Sequence, residues 1–323
     1  MRSLPDLLHP DSLTGAVTRV LHRLTPAAPN TLADLDAYRG LSPGTLFPTP
    51  PATPAVSVKP RWSLPGLVSE DLVFSSLHEP IEAKFRQRYL SHYRETHTVY
   101  ARRLRPVTSR QRPRLLYLHG YLQPETYVEE LSLLAGMALR LDVEVIQLQL
   151  PYHGRRTPRG SRFGGELFWT ADLVRSVEAV RQSVVDVRTL LGWLLEVDQR
   201  PVGILGLSLG GALAAILTCL DDRFAFSVPL IAHMDPQALF AASDDRFFAP
   251  AVVEEMWRRW GRPAIRWYPC SHMGFIPRLP EVVGAVREFI DRQADPQADP
   301  RAAARADAIG RRPGRLAASP RVG

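Results

Sequence analysis

The sequence predicts an α/β fold: a mostly parallel sheet with helices on both faces. Three observations carry this reading. From about residue 96 to residue 292, short apolar runs alternate with stretches of helical periodicity, the pattern of strands joined by crossover helices. Several of the runs are apolar throughout, as strands buried on both sides must be. Hydrophobic residues make up 45% of the 323, enough for a sizeable core.

Taken in order, residues 1–95 read as an N-terminal extension with a proline-rich linker. Residues 13–24 are expected as a short helix. Residues 42–65 hold Pro43, Pro48, Pro50, Pro51, Pro54, Pro60 and Pro65 and are expected as loop or linker. Ile81, Phe85 and Tyr89 share one helix face, which predicts a helix over 81–93. The main body, 96–293, begins with expected strands at 98–104 and 114–118, then a helix at 127–140 and a strand at 144–150. Residues 172–197 have Val177, Val180, Val184, Val187, Leu191 and Leu194 three and four apart, an amphipathic helix. A strand follows at 202–207, a helix at 209–220, and strands at 224–232 and 238–242. A helix at 250–260, a strand at 264–268 and a closing helix at 282–291 complete the body. Residues 294–323 are rich in Ala, Arg, Pro and Asp with no apolar period, and are expected to be a disordered tail.

Net charge is +7, which raises the question of an acidic partner. Arginine is spread along the whole chain without a recognisable nucleic-acid motif, so no nucleic-acid role is expected. Cys219 and Cys270 form neither a metal-like pair nor a disulfide framework, which points to a reducing, cytoplasmic setting. The first fifteen residues lack a continuous apolar stretch, so no signal peptide is expected. Residues 202–220 carry no charge, but Gly203, Gly206, Gly210 and Gly211 fit a buried strand, turn and helix better than a membrane span.

Gly206-Leu207-Ser208-Leu209-Gly210 matches G-x-S-x-G between an apolar strand and an apolar helix. A serine at that junction sits on a strained turn with its hydroxyl exposed at the sheet's carboxyl edge, at a helix N-terminus that favours developing negative charge. The bland alternative is a helix N-cap serine. Such a hydroxyl needs a base. His272 follows the strand-like 264–268 and fits that role. An acid should lie between the two, and Asp244 and Asp245 follow the run at 238–242; Asp245 is favoured by its D-R spacing to Pro250. The Leu209 N–H and the N–H of Tyr121, in the His119-Gly120-Tyr121 turn, are candidate oxyanion donors. His119 is expected to support that turn. His153 and Arg155 follow a strand at the ligand-binding end of the sheet and are candidate substrate-anion contacts, although a solvated basic loop is the plainer reading. His92 and His97 lack the spacing of a metal site.

The segment from about 96 to 292 resembles the α/β-hydrolase family in YLHGY at 117–121, GLSLGG at 206–211, SDDRFFAP at 243–250 and CSHMGF at 270–275. Its LQLPYHGRR at 148–156 is most similar to the abhydrolase-domain-containing 18-like branch. The resemblance implies the fold, the Ser–Asp–His triad, and hydrolysis of an ester, thioester or amide in a small-molecule acyl substrate, with no metal or organic cofactor. Family members commonly carry a helical lid between the strands that here end near His233 and begin near Ala238; this chain has little or no room for one. Acyl transfer, or non-catalytic binding on the same fold, would use the same residues differently.

Overall fold

The protein is described by a computed structural model that covers residues 32–107, 112–121, 123, 126–230, 238–242, 254, 258, 264–271 and 277–294. The expected helices at 13–24 and 250–260 and the tail beyond 294 lie wholly or largely outside those residues. The chain divides into two units, Met1–Pro277 and Arg278–Gly323. The first holds all the described strands. The described part of the second is a single helix, Leu279–Ala294.

In the first unit a short helix α1 (Pro43–Leu46) precedes an antiparallel hairpin of β1 (Ser57–Leu64) and β2 (Leu67–Ser75). Helix α2 (Ala83–His92) leads into β3 (Thr98–Pro106) and β4 (Arg114–Leu118). Helices α3 (Thr126–Glu129) and α4 (Ala135–Leu141) are joined by a π-helical turn, Glu130–Leu134, and followed by β5 (Glu144–Leu148). Then come α5 (Leu173–Val197), β6 (Val202–Leu207), α6 (Leu209–Leu220), β7 (Phe226–Leu230), β8 (Ala238–Ala242) and β9 (Ala264–Tyr268). The second unit's helix is α7 (Leu279–Ala294).

One sheet contains the nine described strands, in the order β1-β2-β3-β5-β4-β6-β7-β8-β9. From β5 to β9 every pairing is parallel, while β1, β2, β3 and β5 pair antiparallel. The alternation of side chains across β4 and β5 shows why helices cover both faces. Leu116, Leu118, Ile146 and Leu148 join one buried cluster with Val184, Leu191 and Leu213 of α5 and α6. Tyr117 and Gln147, opposite each other in register, point the other way and hydrogen-bond Glu129 of α3. Each fully buried leucine or isoleucine contributes on the order of 1.5–3 kcal/mol by leaving water.

Two expectations change. Residues 57–64 are not linker: they form an edge strand in the same sheet as the body. An edge strand tolerates Pro60, since its outer N–H positions need no partner, and the register shifts between Pro60 and Trp62. Its other residues are mostly polar and exposed, which is why no strand pattern is visible in the letters. The 172–197 helix forms as Leu173–Val197, capped by the Asp172 carboxylate on the Arg175 N–H, but its polar face is not solvated. Arg175, Glu178, Arg181, Gln182, Asp186 and Arg188 are all buried, covered by residues 38–97 and by the loop after β5.

Candidate active site

Strand β6 lies between β4 and β7, and its last residue hands directly to Ser208. Ser208 has φ 52° and ψ −110°, a conformation that L residues other than glycine adopt only under strain. Its N–H donates to the Leu230 carbonyl (3.0 Å), which extends the β6–β7 ladder into the turn. Its own carbonyl accepts from Ala212 N–H (3.0 Å) to start α6. Ser208 is the N-cap residue of α6 by position, but its hydroxyl makes no capping bond to the helix. The flanking glycines have a steric cause. A Cβ at Gly206 would sit 2.0 Å from the Gly210 carbonyl oxygen, and one at Gly210 would sit 2.1 Å from that of Leu118. Helix α6 therefore rests backbone to backbone on the end of β4.

The turn after β4 crosses beside the serine: a Cβ at Gly120 would lie 3.8 Å from the Ser208 Cβ. His119 is fully buried and tied at both ring nitrogens, with Nδ1–H donating to the Gly120 carbonyl (2.8 Å) and Nε2 accepting from Leu150 N–H (3.0 Å). Burial, aided by the Arg156 charge, pulls its pKa down to about 4, so the ring is neutral. Tyr121 is half-buried, and burial together with the Glu166 carboxylate pushes its hydroxyl pKa up to about 12.

The loop from β5 to α5 packs on this turn. Tyr152 (φ 64°) and Gly154 (φ 49°) both take left-handed conformations. A side chain at Gly154 would run into the Gln149 amide. His153 is fully buried, with its ring edge-on to His119 (4.8 Å between centroids) and to Tyr121 (6.1 Å), and tilted against Phe168 (5.5 Å). Nδ1–H donates to the Pro151 carbonyl (2.9 Å), while Nε2 has no hydrogen-bond partner among the described residues. Burial holds this histidine's pKa well below the usual range.

A substrate-anion contact through His153 and Arg155 does not fit this placement. A neutral, enclosed imidazole offers an anion neither charge nor access. Arg155 stacks on Tyr100 (3.8 Å to the ring centroid) and lies 3.7 Å from Asp71, so its charge is engaged on the antiparallel side of the sheet. The solvated-loop reading holds for Arg155, whose side chain is half exposed, but not for the next arginine. Arg156 is fully buried, donating to the carbonyls of Gln149 (2.9 Å) and Thr96 (2.7 Å) and pairing with the equally buried Asp186 (2.7 Å). What the letters GRR conceal is an internal brace.

Asp245 and His272 lie outside the described residues. The strands that lead to them are described: β8 and β9 run parallel to β6 and end on the same edge of the sheet as Ser208. Among the described residues no three His, Cys, Asp or Glu side chains gather as a metal-binding group, and no helix is long and apolar enough to cross a membrane.

Sequence comparison matches residues 49–243 to the family described as alpha/beta hydrolase domain containing 18. The uncharacterized protein Rv2627c of Mycobacterium tuberculosis (strain H37Rv) is 28% identical over 254 residues, covering 63% of this chain and 58% of its own length. The chain therefore spans less than two thirds of that relative. Among solved structures, a cold-adapted esterase from an Arctic intertidal metagenomic library superposes with a TM-score of 0.53 at 16% identity, over 74% of this chain and 99% of its own. The acetyl xylan esterase of Paenibacillus sp. R4 gives the same TM-score and identity over 84% and 98%. At that identity the likeness is one of fold.

Proposed function

The chain belongs to the alpha/beta hydrolase domain containing 18 family, and from that premise we propose that it is a serine hydrolase cleaving a carboxylic ester or related acyl bond through an acyl-enzyme. The observation that carries the reading is the backbone of Ser208. A strained serine, its hydroxyl not spent on a helix cap, stands where a parallel strand hands over to a helix. Strain of this kind costs about 1–3 kcal/mol and persists where the surrounding packing enforces it.

In this reading the Ser208 hydroxyl attacks the substrate carbonyl carbon while His272 takes its proton. Asp245 holds the His272 tautomer and stabilises the imidazolium. The tetrahedral oxyanion is met by the N–H groups of Leu209 and Tyr121. His272 then protonates the leaving alcohol, and the acyl group stays on Ser208 until a water, deprotonated by the same histidine, releases the acid. Two features support the oxyanion assignment. Leu209 opens α6, whose first N–H groups have no intrahelical acceptor. The Gly120 turn lies against Ser208.

The test is covalent labelling with a fluorophosphonate, followed by peptide mapping. Adduct on Ser208, abolished in Ser208→Ala, is expected. A folded protein that neither labels nor hydrolyses any member of an ester panel would instead be a binding protein on this fold. Labelling with turnover only when an alcohol or thiol acceptor is supplied would make it an acyltransferase.

A further inference from the structure

We infer that His153 is a positioning residue for the oxyanion site, acting through His119 on the peptide that carries the Tyr121 N–H. This rests on the serine-hydrolase reading above and adds to it a residue that touches no reacting atom.

The geometry runs through one planar unit. The Gly120 carbonyl and the Tyr121 N–H are the two ends of a single trans peptide and point in opposite directions. Holding the oxygen therefore aims the N–H. The hold is His119 Nδ1–H on Gly120 O at 2.8 Å, and it requires the proton to be on Nδ1. The Leu150 N–H, donating to Nε2 at 3.0 Å, fixes that tautomer. Both bonds fail if the imidazole swings about its Cβ–Cγ bond.

His153 occupies the space such a swing would need. Its ring stands edge-on to His119, and it is itself clamped on several sides. Its Nδ1–H is pegged to the Pro151 carbonyl, Phe168 lies against the ring, and Gly165 approaches so closely that a Cβ there would be 2.5 Å from Nε2. Gly165 has φ 92° and donates its N–H to Tyr152 O at 2.7 Å, so the far end of the loop is locked to the near end around this ring. The ionisable groups that bear on this cluster are His119 itself, the Arg156 guanidinium and the Glu166 carboxylate. Arg156 opposes protonation of both rings, and Glu166 bears on Tyr121. A buried acceptor left without a partner is costly, and among the described residues nothing uses Nε2. What the fold uses is the ring and its Nδ1–H peg.

The experiment compares wild type, His153→Ala and His153→Phe with p-nitrophenyl acetate as probe. Active sites are counted by fluorophosphonate titration, so that a smaller folded fraction cannot pass for slower chemistry. Per active site, His153→Ala should lower kcat about 10- to 100-fold with KM within about twofold. That is less than the roughly 10²–10³-fold lost when an oxyanion donor is deleted outright. Affinity for a trifluoromethyl ketone, which forms the tetrahedral adduct, should fall by the same factor as kcat. His153→Phe, which keeps the ring, should recover most of both. An unchanged kcat per site in His153→Ala overturns the proposal, as does a His153→Phe variant as slow as the alanine variant. If wild type titrates at Ser208 and turns over, either result leaves the serine-hydrolase reading standing. A wild type that neither titrates nor turns over overturns both.

Discussion

Helices α5 and α6 pack against each other and against the same strand, yet they are held there by opposite means. Helix α6 is apolar. It reaches the sheet through Gly210, whose missing side chain lets backbone meet backbone, and through Leu213, Ala214 and Leu217. Helix α5 meets the sheet with Val184, Val187, Leu191 and Leu194, but its other face is charged and equally buried. Each polar group on that face has a named partner. Arg181 donates to the Leu46 carbonyl, Gln182 to that of Thr96, and Arg188 to that of Phe47. Glu178 accepts from the Tyr38 hydroxyl and the Ile81 N–H. Residues 38–97 are thus fastened to the core by satisfied charge as well as by an apolar seam through Leu72, Phe74, Phe85 and Tyr89. Non-directional packing tolerates much variation, whereas a buried ionic network fails when one member is lost. On the proposed reading helix α6 presents the chemistry, and α5 fixes what surrounds it.

The sharpest way to break that comparison is to cut one side at a time. Ser208→Ala, at the head of α6, should reduce ester turnover by about four orders of magnitude or more. The melting temperature should stay within a few degrees, because the hydroxyl does not cap the helix. A variant that retains wild-type turnover removes Ser208 as nucleophile. One that unfolds shows the hydroxyl to be structural after all.

Next in size is the brace on the α5 side. Arg156 and Asp186 are both completely buried and paired, so Asp186→Ala would leave an uncompensated guanidinium in the interior. Loss of about 3–5 kcal/mol in urea denaturation is expected. Replacing the pair together, as Arg156→Met with Asp186→Leu, should recover a good part of it. The recovery will be incomplete, since the Gln149 and Thr96 carbonyls and the Ser76 hydroxyl also lose a partner. If the double variant is as unstable as the single one, the pair is needed for its hydrogen bonds more than for its charges.

The same contrast explains which parts could be read from the letters. The α6 side follows from local rules: an unbroken apolar strand, glycines where a Cβ would collide with backbone, and an apolar helix. Its strand, turn and helix boundaries in the structure are those expected. The strands leading toward Asp245 and His272 were likewise expected at 238–242 and 264–268 and form there. Strand β1 follows no local rule. Lys59, Pro60 and Arg61 make a strand only because β2 offers them an edge. Arg156 reads as surface because nothing nearby in sequence announces Asp186 thirty residues on. His153, next to two arginines, reads as part of a basic site, while its actual neighbours are His119, Tyr121 and Phe168. Buried charge is paired over long sequence distances, so its partners become visible only once the chain is folded.

The finest test of the rule uses two adjacent residues. The π-helical turn at Glu130–Leu134 begins where Glu129 and Glu130 both point inward. Glu130 meets arginine, with Arg102 on its carboxylate and Arg61 at 3.7 Å. Among the described residues Glu129 has only neutral donors, the Tyr117 hydroxyl (3.1 Å) and the Gln147 amide (2.9 Å), and burial raises its pKa from 4.5 to about 7. A carboxyl whose folded pKa is raised adds stability that is fully present below the unfolded pKa and lost as pH climbs through the folded one. From pH 4.5 to about 7 this single group should therefore remove on the order of 3 kcal/mol. Glu129→Gln removes the titration and keeps an acceptor for Tyr117. Its new amide N–H can be met by Gln147 Oε1, which is buried without a partner among the described residues, if that amide turns over. Measured against wild type, so that other titrating groups cancel, the variant should be near neutral at pH 5 and more stable by roughly 1–3 kcal/mol at pH 8. An equal or lower stability at pH 8 would mean that the two neutral donors suffice to hold a buried carboxylate here, and that the difference between Glu129 and its arginine-paired neighbour is smaller than their surroundings imply.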